Sequence, residues 1–61
     1  MTRYLTFELY LDDGEHDPVF EAYTCPSRDE LVAALRRLLD ERGLRSVEVR
    51  EMGVPLFTVT K

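Results

Sequence analysis

The residues with the most potential for chemistry in this chain are its single histidine and the acids around it. His16 lies in a short acidic stretch, whose carboxylates are Asp12, Asp13, Glu15 and Asp17. The stretch does not follow the calcium-loop pattern of alternating Asp or Asn ligands, a glycine and a later glutamate. A zinc site needs several His or Cys ligands, and His16 and Cys25 are the only two such residues. The sequence therefore predicts a solvated turn, with no metal site and no cofactor.

Cys25 is the other reactive side chain. It lies two residues before Ser27, and a thiol near a helix N-terminus can have a lowered pKa. The alternative interpretation, a small residue at the end of a strand, needs no special chemistry. A lone cysteine forms no internal disulfide, which fits a reducing compartment and predicts a cytoplasmic protein. Because neither residue has a sequence partner for acid–base or nucleophilic work, the sequence predicts no catalytic residue and no enzyme activity.

Size and charge narrow the classes of function further. A chain of 61 residues is one domain, 1–61, near the lower limit for a stable core, with little room for an enclosed pocket. Residues 1–24 carry six acids and one base, a net charge of −5, whereas residues 25–61 carry six acids and seven bases. The arginines at 36, 37 and 42 are interleaved with acids, so we expect no nucleic-acid binding. No apolar run approaches the roughly 20 residues that span a bilayer, and the N-terminus lacks a signal-peptide pattern, so we expect neither membrane insertion nor secretion.

The element that must organise the chain is an amphipathic helix over about residues 28–42. Ser27 and Glu30 have capping-box spacing at its start, and Gly43 followed by Leu44 is a Schellman signature at its end. Its apolar stripe repeats at helical spacing and consists of Leu31, Val32, Leu35, Leu38 and Leu39.

Two hairpins flank this helix. Strands are predicted at about residues 2–12, 18–24, 45–51 and 55–60. The acidic stretch 12–17 turns the chain, with a tight turn at Asp13-Gly14, and residues 52–55 form the second turn. In the second strand we place Glu21 outward, which puts Phe20 and Ala22 inward and Tyr23 outward. Pro18 and Pro55 precede strands two and four, which favours both as edges. The resulting fold is α+β, ββαββ, with a four-stranded antiparallel sheet in the order 2-1-3-4 and the helix on one face.

One helix leaves the other face of the sheet open, and that face carries the candidate interaction residues. Tyrosine is enriched in protein interfaces because it buries a large ring and keeps a polar tip. The candidates are Tyr4, Tyr10, Tyr23, Glu8, Arg50, Leu56 and Thr58. Strand four, LFTVT, also has no charge before Lys61, so this edge lacks the charged side chains that usually prevent pairing with another strand.

Three hypotheses about function follow. The first is a small non-enzymatic interaction module, a homodimer that associates through the open sheet face or through the edge of strand four. The second is an acidic inhibitor or escort that docks its N-terminal hairpin on a basic partner protein. The third is an enzyme whose site forms between subunits, since one chain does not supply the groups.

Overall fold

The fold was determined from a computed structural model, which describes residues 3–61. Its elements are β1 (Leu5–Asp12), β2 (Val19–Cys25), α1 (Arg28–Glu41), β3 (Ser46–Glu51) and β4 (Val54–Thr60). The strands form one sheet in the order β2-β1-β3-β4, and every neighbouring pair is antiparallel. The predicted α+β fold and strand order are therefore confirmed. The first strand was predicted from about residue 2, which lies outside the described residues.

Both predicted ends of α1 are present. The Glu30 amide donates to Ser27 Oγ at 3.3 Å, which is one of the two bonds of a capping box. At the other end, the Leu44 amide donates to the Leu39 carbonyl at 2.9 Å, and the Gly43 amide donates to the Asp40 carbonyl at 3.4 Å. These two bonds define a Schellman motif, and they require the left-handed backbone that Gly43 adopts at φ 61°.

The core lies between α1 and the helix-facing side of the two central strands. Its buried side chains are Phe7, Leu9, Leu11, Cys25, Leu31, Leu35, Leu39, Leu44, Val47 and Val49. Within the helix, Ala34 is buried and Val32 is exposed, so the predicted stripe was wrong at Val32. Ala34 lies three residues after Leu31 and thus on the same face, whereas Val32 lies at the margin of that face.

The two hairpin connections differ from each other. Between β3 and β4 the turn is two residues, Met52-Gly53, both at positive φ, as a type I′ turn requires. The first connection spans residues 13–18, so the prediction of a tight turn at Asp13-Gly14 was wrong. Its backbone is instead held by carboxylates, because Asp12 Oδ1 accepts from the Gly14 amide and Asp13 Oδ1 accepts from two amides.

The orientation of β2 is the reverse of the prediction. Phe7 pairs with Tyr23 and Leu9 pairs with Glu21, and directly paired residues share a face of the sheet. Tyr23 therefore points to the helix side, where it packs against the core, while Phe20 and Ala22 lie on the open face. The segment has apolar residues in both alternating sets, so the register with β1 decided which set faces the helix.

Residues 3–61 contain no helix that is long and apolar enough to cross a membrane.

Candidate interaction surface

The centre of the open sheet face is a packed group of side chains around Tyr10. The Phe20 ring meets the Tyr10 ring edge to face, with 5.5 Å between the ring centroids. The Arg50 guanidinium lies over the same ring, 4.7 Å from its centroid. Arg50 also donates two hydrogen bonds of 3.2 Å to the Glu48 carboxylate. These bonds raise the pKa of Arg50 above its ordinary value and hold its guanidinium against the face.

Two further contacts order the rest of this face. Glu8 Oε1 accepts a 3.1 Å hydrogen bond from the Gly53 amide and so ties β1 to the tip of the second hairpin. The Thr6 and Thr24 hydroxyls are 3.0 Å apart and join β1 to β2. The polar groups at the centre of the face thus already have partners within the chain, which makes the centre a less strong candidate for binding than its margins.

The structure separates the candidate residues into two groups. Tyr10, Glu8, Arg50 and Thr58 lie on the open face, as their pairing registers show, and Tyr4 is exposed just before β1. Leu56 is exposed at a bulge in β4. Tyr23 does not belong with them, because it lies on the helix side. The open face carries Phe20 in place of Tyr23, although the sequence predicted that Phe20 points inward. Alternation alone gave no signal for this difference.

The margin formed by β4 has exposed apolar side chains and no charge. Val54, Leu56 and Phe57 are exposed in this strand, and Met52 is 91% exposed in the adjoining turn. Pro55 lies inside the strand rather than before it, beside the bulge. Proline and bulges both hinder strand pairing at an edge. The backbone of β4 is thus protected near Pro55, whereas its apolar side chains are not covered.

The opposite margin, β2, has a regular and unprotected backbone. It pairs with β1 over seven consecutive residues without a register shift. The two-residue turn at Met52-Gly53 makes Glu51 and Val54 a hydrogen-bonded pair, which sets the phase of backbone hydrogen bonds in the β3–β4 ladder. Because hydrogen-bonded pairs alternate along antiparallel strands, the phase carries across the sheet. The backbone N–H and C=O groups of Phe20, Ala22 and Thr24 therefore point away from β1, toward solvent.

A groove of about 220 Å³ runs between β2 and α1. Its apolar wall includes Tyr23, Ala34 and Leu38, and its polar rim includes Glu21 and Arg42. Arg42 donates a 2.6 Å hydrogen bond to the Glu21 carboxylate, so the charge of the edge strand is paired within the chain. A second groove, of about 210 Å³, lies between α1 and β4. Both exist because one helix is too narrow to cover four strands.

The acidic loop, residues 12–17, lies at the N-terminal end of β2. Within it, the Asp13 carboxylate accepts from the backbone amides of His16 and Glu15 and contacts the His16 ring at 2.8 Å. These bonds, the His16 amide foremost, hold the pKa of Asp13 far below its ordinary value. The loop backbone is therefore held by side-chain hydrogen bonds, and Asp13 is ionised at neutral pH.

Neither of the two residues with the most reactive side chains is free for chemistry at the surface. His16 is exposed and bonded to Asp13, and Cys25 is 1% exposed in the core. Among the described residues, no group of three or more His, Cys, Asp or Glu side chains is arranged to hold a metal ion.

Comparison with known proteins finds no protein-family model, no curated protein and no solved structure that matches this chain.

Proposed function

We propose that this chain is a small, non-enzymatic, cytoplasmic protein-interaction module that associates with a second copy of itself through the β4 margin. The observation that carries the proposal is the presence of three exposed apolar side chains, Val54, Leu56 and Phe57, in an edge strand without a charge. A second copy brings the same apolar, uncharged surface, so no charge is buried on association. Exposed apolar patches of this kind mark interaction sites in soluble proteins.

The size of the chain supports the same proposal. A domain of 61 residues buries a smaller share of its surface than a larger one does, and association adds apolar burial. The two β4 strands of such a dimer would run antiparallel, with their contact made by side chains near Leu56 and by the backbone beyond the bulge. Support for the non-enzymatic part comes from the burial of Cys25 and the pairing of His16 with Asp13.

The test is the solution mass, measured by light scattering after size exclusion across a wide concentration range. We expect the mass to rise from 7.1 kDa toward twice that value. The double variant Leu56→Lys, Thr58→Lys should remain monomeric, because like charges then face each other across the axis. The matched control, Val19→Lys with Ala22→Lys, places the same two charges on β2 and should dimerise normally.

Two outcomes would contradict this proposal. A wild-type chain that stays monomeric at millimolar concentration does not self-associate. A dimer that survives the β4 double variant but is lost in Tyr4→Ser, Tyr10→Ser associates through the centre of the open face instead of β4.

A second candidate function is docking of the acidic hairpin on a basic partner protein. The hydrogen bonds of the loop favour it, because the Asp12 and Asp13 carboxylates are already held by backbone amides and lose little conformational freedom on binding. Such binding should weaken as salt is raised, since exposed charges are screened within about 8–10 Å near physiological ionic strength.

A further inference from the structure

The margin opposite β4 has three features that together describe a binding site for an extended peptide segment. They are the free backbone groups of β2, the groove beside α1, and the acidic loop at one end. Self-association through β4 uses none of them, so binding at β2 and dimerisation at β4 can be tested independently.

The free backbone supplies the pairing surface. Phe20, Ala22 and Thr24 each present an N–H and a C=O away from β1, at every second residue, which is the spacing that an added antiparallel strand needs. No proline or bulge interrupts β2. Its one charged residue, Glu21, is paired with Arg42, so an incoming strand does not desolvate an uncompensated charge.

The groove supplies places for side chains. In an added strand, the residues opposite Tyr23 and Glu21 point to the helix side, because paired residues share a face. They would enter the groove between β2 and α1, whose apolar wall includes Tyr23, Ala34 and Leu38. Its volume of about 220 Å³ suits aliphatic side chains at these two alternating positions.

The acidic loop indicates the charge and direction of the segment. An antiparallel strand that passes Val19 continues beside Pro18 and Asp17, next to the loop of residues 12–17. This loop holds four carboxylates, and the Arg45 side chain lies beside Gly14 within it. Lys or Arg residues at the C-terminal end of the incoming segment complement this field.

A second copy of the chain fits this margin poorly. Antiparallel pairing of two β2 strands about Ala22 would bring Asp17 of one copy opposite Ser27 of the other, next to Asp29 and Glu30. Acids would then face acids at both ends of the pairing, with Arg28 as the neighbouring base. The charge distribution thus favours a basic partner over self-pairing at this edge.

We propose that β2 binds an extended segment of a partner protein as a fifth strand of the sheet, with aliphatic side chains in the α1–β2 groove and Lys or Arg residues beside the acidic loop. The segment that this geometry describes has alternating aliphatic residues followed by a basic end.

The probe is a fluorescent peptide, Thr-Leu-Thr-Leu-Thr-Lys-Lys-Lys, titrated with the full chain and followed by anisotropy. We expect saturable binding that weakens on the order of tenfold in the variant Ala22→Pro, which removes a central donor of the free edge without breaking a bond to β1. Thr58→Pro, at the corresponding outward position of β4, is the matched control and should bind normally. A peptide with Glu in place of Lys should bind at least about tenfold more weakly.

A second measurement on the wild-type chain covers the case in which Ala22→Pro does not fold. Bound peptide should protect the amides of Phe20, Ala22 and Thr24 from hydrogen exchange. Equal binding of the Glu and Lys peptides, unchanged exchange at these three amides, or no binding at millimolar peptide would each overturn the proposal. Repeating the titration with the Leu56→Lys, Thr58→Lys variant separates it from self-association, because peptide binding should persist there.

Discussion

Replacing Gly43 by alanine tests whether the C-terminal cap of α1 depends on left-handed backbone alone. Gly43 has φ 61°, and an added Cβ would meet no atom within 4 Å. The loss of unfolding free energy should therefore come entirely from the backbone conformation, which costs an L-residue roughly 1–2 kcal/mol. Alanine also restricts the unfolded chain, which offsets about 0.4–1 kcal/mol. The net loss of unfolding free energy should be about 1 kcal/mol.

That loss is measurable in a domain of this size. At 0.05–0.15 kcal/mol per residue, total stability is about 3–9 kcal/mol, and a loss of about 1 kcal/mol lowers Tm by roughly 4–8 °C. Urea and thermal unfolding followed by circular dichroism would measure it. Gly43→Asn is the matched control and should lose less, because asparagine tolerates this backbone region better than alanine. An unchanged or higher Tm for Gly43→Ala, or equal losses for the two variants, would refute the backbone explanation.

Two further predictions concern the loop and the tyrosines. Because the pKa of Asp13 is depressed in the folded chain, its stabilising contribution is complete above its unfolded value of 3.8 and is lost as pH falls from there toward the folded value. A carboxyl-carbon NMR titration should show Asp13 still ionised well below its unfolded pKa of 3.8; an ordinary titration midpoint would contradict the loop geometry. Tyr23→Ser should cost about 2 kcal/mol in urea unfolding, below the ~3–5 kcal/mol of a fully buried aromatic residue, because Tyr23 packs against the core. Tyr4→Ser should stay within about 0.5 kcal/mol, since Tyr4 is 65% exposed; equal losses would contradict the corrected orientation of β2.

Much of the architecture follows from local signals in the sequence. Ser27 and Gly43 mark the ends of α1 because a helix terminus needs a side-chain acceptor at one end and a left-handed residue at the other. Strict alternation in β1 places its leucines on one face whatever the partner strand is. Pro18 and Pro55 favour β2 and β4 as edges, since proline donates no ladder bond, and this ordered the sheet correctly.

The candidate surface depended on contacts between distant residues. Tyr10, Glu8 and Arg50 could be assigned to the open face from alternation, but their bonds to Phe20, Gly53 and Glu48 follow from strand register. β2 has apolar residues in both of its alternating sets, so only its pairing with β1 placed Tyr23 beside the helix and Phe20 on the open face.

Local signals were enough to predict the elements, their order and the open sheet face, because caps, alternation and prolines act within a few residues. Which margin of that sheet offers free backbone and which offers exposed side chains depends on packing and register between distant residues. The width of α1 relative to four strands leaves a groove along each outer strand. Pro55 and the adjacent bulge hinder backbone pairing in the first part of β4 and leave its apolar side chains exposed, whereas the regular register of β2 leaves its whole outer backbone free to pair.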